Sequence, residues 1–164
     1  MASPEPWFYR HKVQLPFGYD KKNGIVLGCY GGDSHTVVNQ TGCFIQDKDL
    51  TAVVLAIREW AKRCHLSSYN EQSGSGFLRH VLLRKGAGTG EIVIGIVTNG
   101  EQHQGSRHLS NLLLKLLENR LDEKSRIVGI VQNVNTRKTN VVLGEKEVIW
   151  WGRPYLKEML GSLK

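Results

Sequence analysis

Three groups of residues in this chain offer atoms that could do chemistry. The run Gly86-Ala87-Gly88-Thr89-Gly90 brings backbone N–H groups close together, which is the raw material of a phosphate cradle. Cys29, Cys43 and Cys64 offer thiolates for nucleophilic attack or metal ligation. Short basic groups, Arg10 to Lys12, Arg79 to Lys85 and Arg137-Lys138, offer cations that would release counterions condensed on a polyanion.

Context decides among these. A phosphate loop needs a helix behind it, so that its amides converge with a helix dipole. Here "EIVIGIVTN" follows, a β-branched run of strand length, and there is neither a Gly-Lys-Ser/Thr ending nor a full G-x-G-x-x-G. The glycines therefore read as a hairpin turn that binds no nucleotide, and Gly88 is a candidate for positive φ. The cysteine count is odd and no CxxC pair exists, which argues against a disulfide framework and against a self-sufficient zinc site. The basic groups belong to a net charge of +7, which favours polyanionic partners. Because they recur in short groups, they suit a folded surface better than a basic tail.

The elements that must position these residues follow from periodicity. "WFYRHKVQLP" (7–16) and "NGIVLGCY" (23–30) read as strands joined by a turn over Asp20 to Gly24. Asp47 or Asp49 can cap a helix running to Cys64, with Leu50, Val53, Val54, Ile57, Trp60 and Ala61 as its apolar stripe. "FLRHVLLR" and "EIVIGIVTN" are hairpin strands. Ser106 can cap a second helix through Leu121 that buries Leu109, Leu112, Leu113, Leu116 and Leu117. "RIVGIVQNVN" (126–135) is a further strand, and "TNVVLG" with "EVIWWG" reads as a final extended pair about Gly144.

The 164 residues suit a single domain, 1–164. From Asn23 the order strand, helix, strand, strand, helix, strand predicts an α+β two-layer sandwich, a ferredoxin-like βαββαβ core with additional strands at both ends. The strand holding Ile92, Ile94 and Ile96 alternates them with Val93 and Val97, so it is apolar on both faces. Two helices cover one face, so something else should cover the other. No apolar run nears the roughly 20 residues of a membrane span, and no basic-then-apolar leader opens the chain. A cytoplasmic protein without a membrane partner is the expectation.

Four blocks carry a resemblance: "YRHKVQLP", "GCYGGDSHTVVNQTGCFIQ", "GSGFLRHVLLRKGAGTGEIVIGIVTN" and "IVGIVQNVNTRKTNVVLGEKEVIWWG". In this order, over nearly the whole chain, they resemble the RNA uracil-5-methyltransferases, which form 5-methyluridine in ribosomal and transfer RNA. The resemblance implies a central α/β domain that helps to hold RNA. It also implies an OB-like domain before it, often followed by a cysteine cluster, and a Rossmann-like catalytic domain after it. That catalytic domain carries the S-adenosylmethionine site, the cysteine nucleophile and the general base. The chain thus reads as the excised central domain, with no catalytic residue and no cofactor of its own. In the family the cysteine adds to uracil C6, the enolate takes the methyl group and a base removes the C5 proton, a covalent route through easier steps. In cluster-bearing members a cysteine in the block matching "GCFIQ" joins three upstream cysteines in holding a 4Fe-4S cluster. Cys43 is at that position, and would be one ligand in a full-length parent that carries such a cluster.

The resemblance also directs attention to RNA contacts. Arg10, Lys12, Arg79, Arg84, Lys85, Arg137 and Lys138 would neutralise phosphates, Gln132, Asn133 and Asn135 would meet base edges or 2′-hydroxyls, and His80 is a further candidate contact. Simpler readings stand beside these. His80 reads equally as a partly buried histidine within a strand, and the three amides as groups that end a strand by bonding its backbone. Two other functions remain open, a free-standing RNA-binding module and a protein-interaction domain working through its apolar sheet face.

Overall fold

The computed structural model describes residues 6–32, 36–101 and 105–159. Its strands are β1 (Lys12–Asp20), β2 (Gly24–Tyr30), β3 (Val37–Asn39), β4 (Leu78–Lys85), β5 (Glu91–Thr98), β6 (Arg126–Val134) and β7 (Lys146–Gly152). The helices are α1 (Lys48–Arg63) and α2 (Ser106–Leu117). The strands form one sheet of order β3-β2-β1-β4-β5-β6-β7.

Local signals place most of these elements. Asp20 Oδ1 accepts from the amides of Lys22 and Asn23 at 2.6 and 2.9 Å, and Gly24 at φ 72° turns the chain into β2. Asp47 is the N-cap of α1, its Oδ1 accepting from Asp49 and Leu50 amides at 2.9 and 3.2 Å. The second helix differs from expectation. Ser106 is its first helical residue, Gly105 at φ 80° is the cap without a side-chain bond, and the helix stops at Leu117. Asn119 at φ 61° then redirects the chain.

The α+β class and the added strands at both ends are observed, but the interleaved strand order of a ferredoxin-like core is not. In that core the strand before the first helix would lie beside the second hairpin strand. Here β4 lies between β1 and β5, and β5–α2–β6 is a direct parallel crossover. β1 also begins later than expected and continues through Pro16 and Gly18 to Asp20. The segment "TNVVLG" forms no ladder with β7. Asn135 Nδ2 donates to the carbonyls of Val141 and Val142, and Asn133 brackets Gly144 with a bond in each direction. These side chains occupy backbone groups that a strand would need, and β7 pairs with β6 instead.

Both helices pack on one sheet face. Trp60 of α1 is fully buried, its Nε1 donates to the Leu109 carbonyl of α2 at 2.9 Å, and its ring lies 6.3 Å from that of Trp150 in β7. One side chain thus joins both helices to the sheet edge. The opposite face is closed in part. β3 crosses over Gly18, where an added Cβ would lie 2.5 Å from Val37 Cβ. Val26 and Val97 are buried on that face, whereas Leu82, Val93 and Gly95 are half-buried and Ile149 is 52% exposed.

Candidate nucleic-acid interface

The glycine run is a β4–β5 hairpin loop that already holds an anion. Ala87 and Gly88 amides donate to the two carboxylate oxygens of Glu158 at 2.7 and 2.9 Å, and Thr89 Oγ1 donates to the Lys157 carbonyl at 2.6 Å. Next to it Glu91 accepts from the Lys157 amide, Arg126 and Arg153 at 2.7, 2.9 and 2.6 Å. Burial alone would raise the Glu91 carboxyl, but these donors outweigh it and hold it at about 2. The loop amides that could have met a phosphate therefore fasten residues 157–159 to the hairpin.

The positive φ falls at Gly90 (65°) rather than at Gly88, and a Cβ on Gly90 would lie 2.1 Å from the Lys124 carbonyl oxygen. Gly90→Ala should destabilise the fold by at least about 2 kcal/mol, combining left-handed strain with a backbone clash. Gly88→Ala meets Met159 and Glu158 at 3.0 to 3.2 Å, so it should loosen that segment and leave the melting temperature nearly unchanged. Thermal melts of the two variants check the contrast; equal losses would contradict it.

Several residues expected on the surface are turned inward, which corrects their placement as RNA contacts. Arg79 is 5% exposed. Its Nη1 donates to the carbonyls of Asn135 and Arg137, both at 2.7 Å, and its guanidinium lies 4.4 Å over the Tyr69 ring. The cause is a bulge: pairing of β4 with β5 skips Arg79 between Leu78 and His80. Lys85 is held by Asp47 and Asp49 at 2.9 and 2.7 Å. Asp49 also takes the Asp122 amide and the Ser125 hydroxyl. Burial would raise the Asp49 carboxyl, yet Lys85, Ser125 and Asp122 leave it lowered; burial would lower Lys85, yet the two carboxylates leave it raised. Gln132, Asn133 and Asn135 are buried and bonded internally, Gln132 donating to Thr98 Oγ1 at 2.8 Å and accepting from Trp150 Nε1 at 3.1 Å.

The remaining candidates divide into clusters. Lys12 and Arg84 are direct cross-strand partners of β1 and β4, both exposed, and neither has an ion pair among the described residues. Like charges directly opposite each other are destabilising, and a phosphate placed between them would relieve the cost. Exposed Arg10 lies two residues before Lys12. Arg137 and Lys138 are exposed beyond the far end of β6, where Arg137 pairs with Glu145 at 3.0 Å.

His80 shares a face of β4 with Arg84. Burial, then the neighbouring Arg79 charge, push its imidazole down to about 4, against a smaller opposing effect of Glu71. The unfolded chain takes this proton near 6.5 and the folded one near 4. Stability should be fully present above about 6.5 and fall by roughly 2–3 kcal/mol as pH drops to 4. Denaturation from pH 7.5 to 4 checks this, and His80→Leu should flatten the profile over that window.

Cys43 is half-buried in the segment before α1. Among the described residues no group of three or more His, Cys, Asp or Glu side chains could hold a metal ion. A four-thiolate cluster would draw its other ligands from elsewhere. No helix of the described residues is long and apolar enough to cross a membrane.

No family model matches the chain. Individual relatives do. Over 169 aligned residues it is 47% identical to a protein of Leptospira interrogans named as an uncharacterized RNA methyltransferase, covering 99% of this chain and 43% of that protein. Similarly named proteins of Clostridium acetobutylicum and Clostridium tetani are 37% and 35% identical, covering 98% and 100% of this chain and 33% and 34% of theirs. The chain aligns with one segment of each of these relatives. It spans less than half the length of these relatives. Its fold is shared with a crystal structure of Pyrococcus abyssi tRNA (uracil-54, C5)-methyltransferase in complex with S-adenosyl-L-homocysteine. The TM-score is 0.70 at 22% identity, covering 96% of this chain and 34% of that one.

Proposed function

We propose that this chain is the central, RNA-contacting domain of an S-adenosylmethionine-dependent RNA (uracil-C5-)-methyltransferase acting on ribosomal or transfer RNA in the cytoplasm. The observation that carries the reading is sequence identity of 35–47% to proteins named RNA methyltransferases along nearly the full chain. The unrelieved Lys12–Arg84 pair adds a surface suited to phosphate. The uracil-C5 specificity rests on the four sequence blocks and on the fold shared with the Pyrococcus abyssi enzyme.

In this reading the nucleophile, the base and the methyl-donor site belong to the rest of the longer protein, as does an OB-like domain. The residues present do not fit a glycine-loop cofactor site, because the Ala87 and Gly88 amides are engaged by Glu158. Cys29, Cys43 and Cys64 are not assigned as nucleophiles. Cys43 would contribute a single ligand if the parent carries a 4Fe-4S cluster. This domain's own contribution is to bind and orient RNA, fixing its register through phosphate contacts that carry no sequence information by themselves.

Incubating the chain with labelled S-adenosylmethionine and unmodified RNA tests this division of labour. Incorporation should equal that of a no-protein control; methyl transfer above it would contradict the placement of catalysis outside these residues.

A further inference from the structure

The RNA-contact reading leaves a second feature of the fold unused. A groove of about 1300 Å³ runs between the β1–β2 hairpin, the C-terminal turn of α1 and the 65–72 loop. It exceeds the roughly 300–1,000 Å³ of a small-molecule site and is open, which suits a polymer strand better than a compact metabolite. Tyr19 and Tyr30 line it and are 71% and 46% exposed. Arg79 and His80 also line it, and Arg79 Nε and His80 Nδ1 are buried with no hydrogen-bond partner among the described residues. A buried polar atom without a partner costs free energy, so a ligand atom or water that reaches His80 Nδ1 would be favoured, whereas the Arg79 guanidinium is already fixed by the carbonyls of Asn135 and Arg137. The Arg79 guanidinium lies 4.4 Å over the Tyr69 ring, which holds that part of the groove floor in place.

We propose that this groove takes the unstacked bases of a single-stranded RNA segment, Tyr19 and Tyr30 providing stacking faces and His80 lying beside the base edges. The inference rests on the RNA-contact reading and makes it specific. Aromatic faces beside a neutral imidazole and amide side chains are the chemistry that recognises splayed bases. Glu71 lies in the same groove, and its carboxylate disfavours a phosphate there, so the base enters and the backbone stays outside. Exposed Lys62 lines the groove as a cation for that backbone. Arg84 follows His80 by four residues on the same face of β4, about 14 Å along the strand. One RNA strand can therefore place bases in the groove and phosphates on the Lys12–Arg84 pair.

The test compares a labelled uridine octamer with a ribose-phosphate octamer lacking bases, by anisotropy at low salt. The proteins are wild type, Tyr19→Ala, His80→Leu and Lys12→Ala/Arg84→Ala. Wild type should bind the uridine octamer roughly tenfold more tightly than the baseless chain, the scale of one stacked base. Tyr19→Ala, an exposed site, should lose most of that preference without a change in melting. The His80 imidazole nitrogen resonances of wild type should shift with the uridine octamer and stay in place with the baseless chain, a readout independent of whether His80→Leu folds. If Tyr19→Ala retains the preference and the His80 resonances do not move, while Lys12→Ala/Arg84→Ala binds both polymers weakly, the groove proposal is overturned and the RNA-contact reading stands. Failure of wild type to bind either polymer contradicts the RNA-contact reading itself and the groove with it.

Discussion

Lys85→Met should lower the free energy of unfolding by about 3–5 kcal/mol, the usual cost of breaking a buried ion network by removing one partner. The ammonium lies between Asp47 and Asp49, at 2.9 and 2.7 Å, and the three side chains are 13%, 12% and 8% exposed. Removing it leaves two carboxylates close together in a poorly solvated place. The network also joins distant parts of the chain: Asp47 caps α1, and Asp49 ties the helix start to the Asp122 amide and the Ser125 hydroxyl ahead of β6. Adding Asp49→Leu should recover part of the loss, because it removes one stranded charge. Denaturant titration of the two variants decides. A loss below about 1 kcal/mol for Lys85→Met would mean that the ammonium is effectively solvated, as in surface pairs.

Arg79→Ala should cost about 3 kcal/mol, through two lost charge-assisted bonds to the carbonyls of Asn135 and Arg137 and the space left beside Tyr69. Those carbonyls belong to the segment that Asn135 also organises, so residues 135–144 should loosen first. Hydrogen exchange should show this as early opening of that segment relative to β5. Normal stability with weakened RNA affinity would contradict a mainly structural guanidinium.

These two residues show where sequence was and was not legible. The β4–β5 hairpin, the Asp20 turn and the Asp47 cap were readable because each depends on residues within a few positions of one another. Arg79 and Lys85 looked like members of a basic surface group because charge is visible in sequence and its partners are not. The carbonyls that hold Arg79 inward and the carboxylates that meet Lys85 lie 36 to 58 residues away. Gln132, Asn133 and Asn135 stand out in sequence as a polar group, and the structure agrees better with side chains that satisfy backbone than with base reading. Strand order was not legible because pairing is non-local, so the same sequence of elements permits both an interleaved core and the observed one. The groove is not legible in sequence, since Tyr19, Tyr30, Tyr69 and His80 share no spacing. Lys12 and Arg84 are 72 residues apart and become neighbours only through the β1–β4 register.

The most direct test of the central claim is the salt dependence of RNA binding by the isolated chain. A structured ribosomal or transfer RNA with single-stranded loops would be titrated at two salt concentrations with wild type and with Lys12→Ala/Arg84→Ala, alongside melts. Wild type should bind modestly, without the avidity of tethered neighbours, and affinity should fall steeply with salt. The double variant should melt like wild type, or slightly higher once the like-charge repulsion is gone. Its log-log salt slope should be shallower by about 1.4, two single-strand phosphate contacts at roughly 0.7 each. Salt-insensitive binding, or none, would contradict the account and leave the half-exposed apolar face around Leu82, Val93 and Ile149 as the working surface.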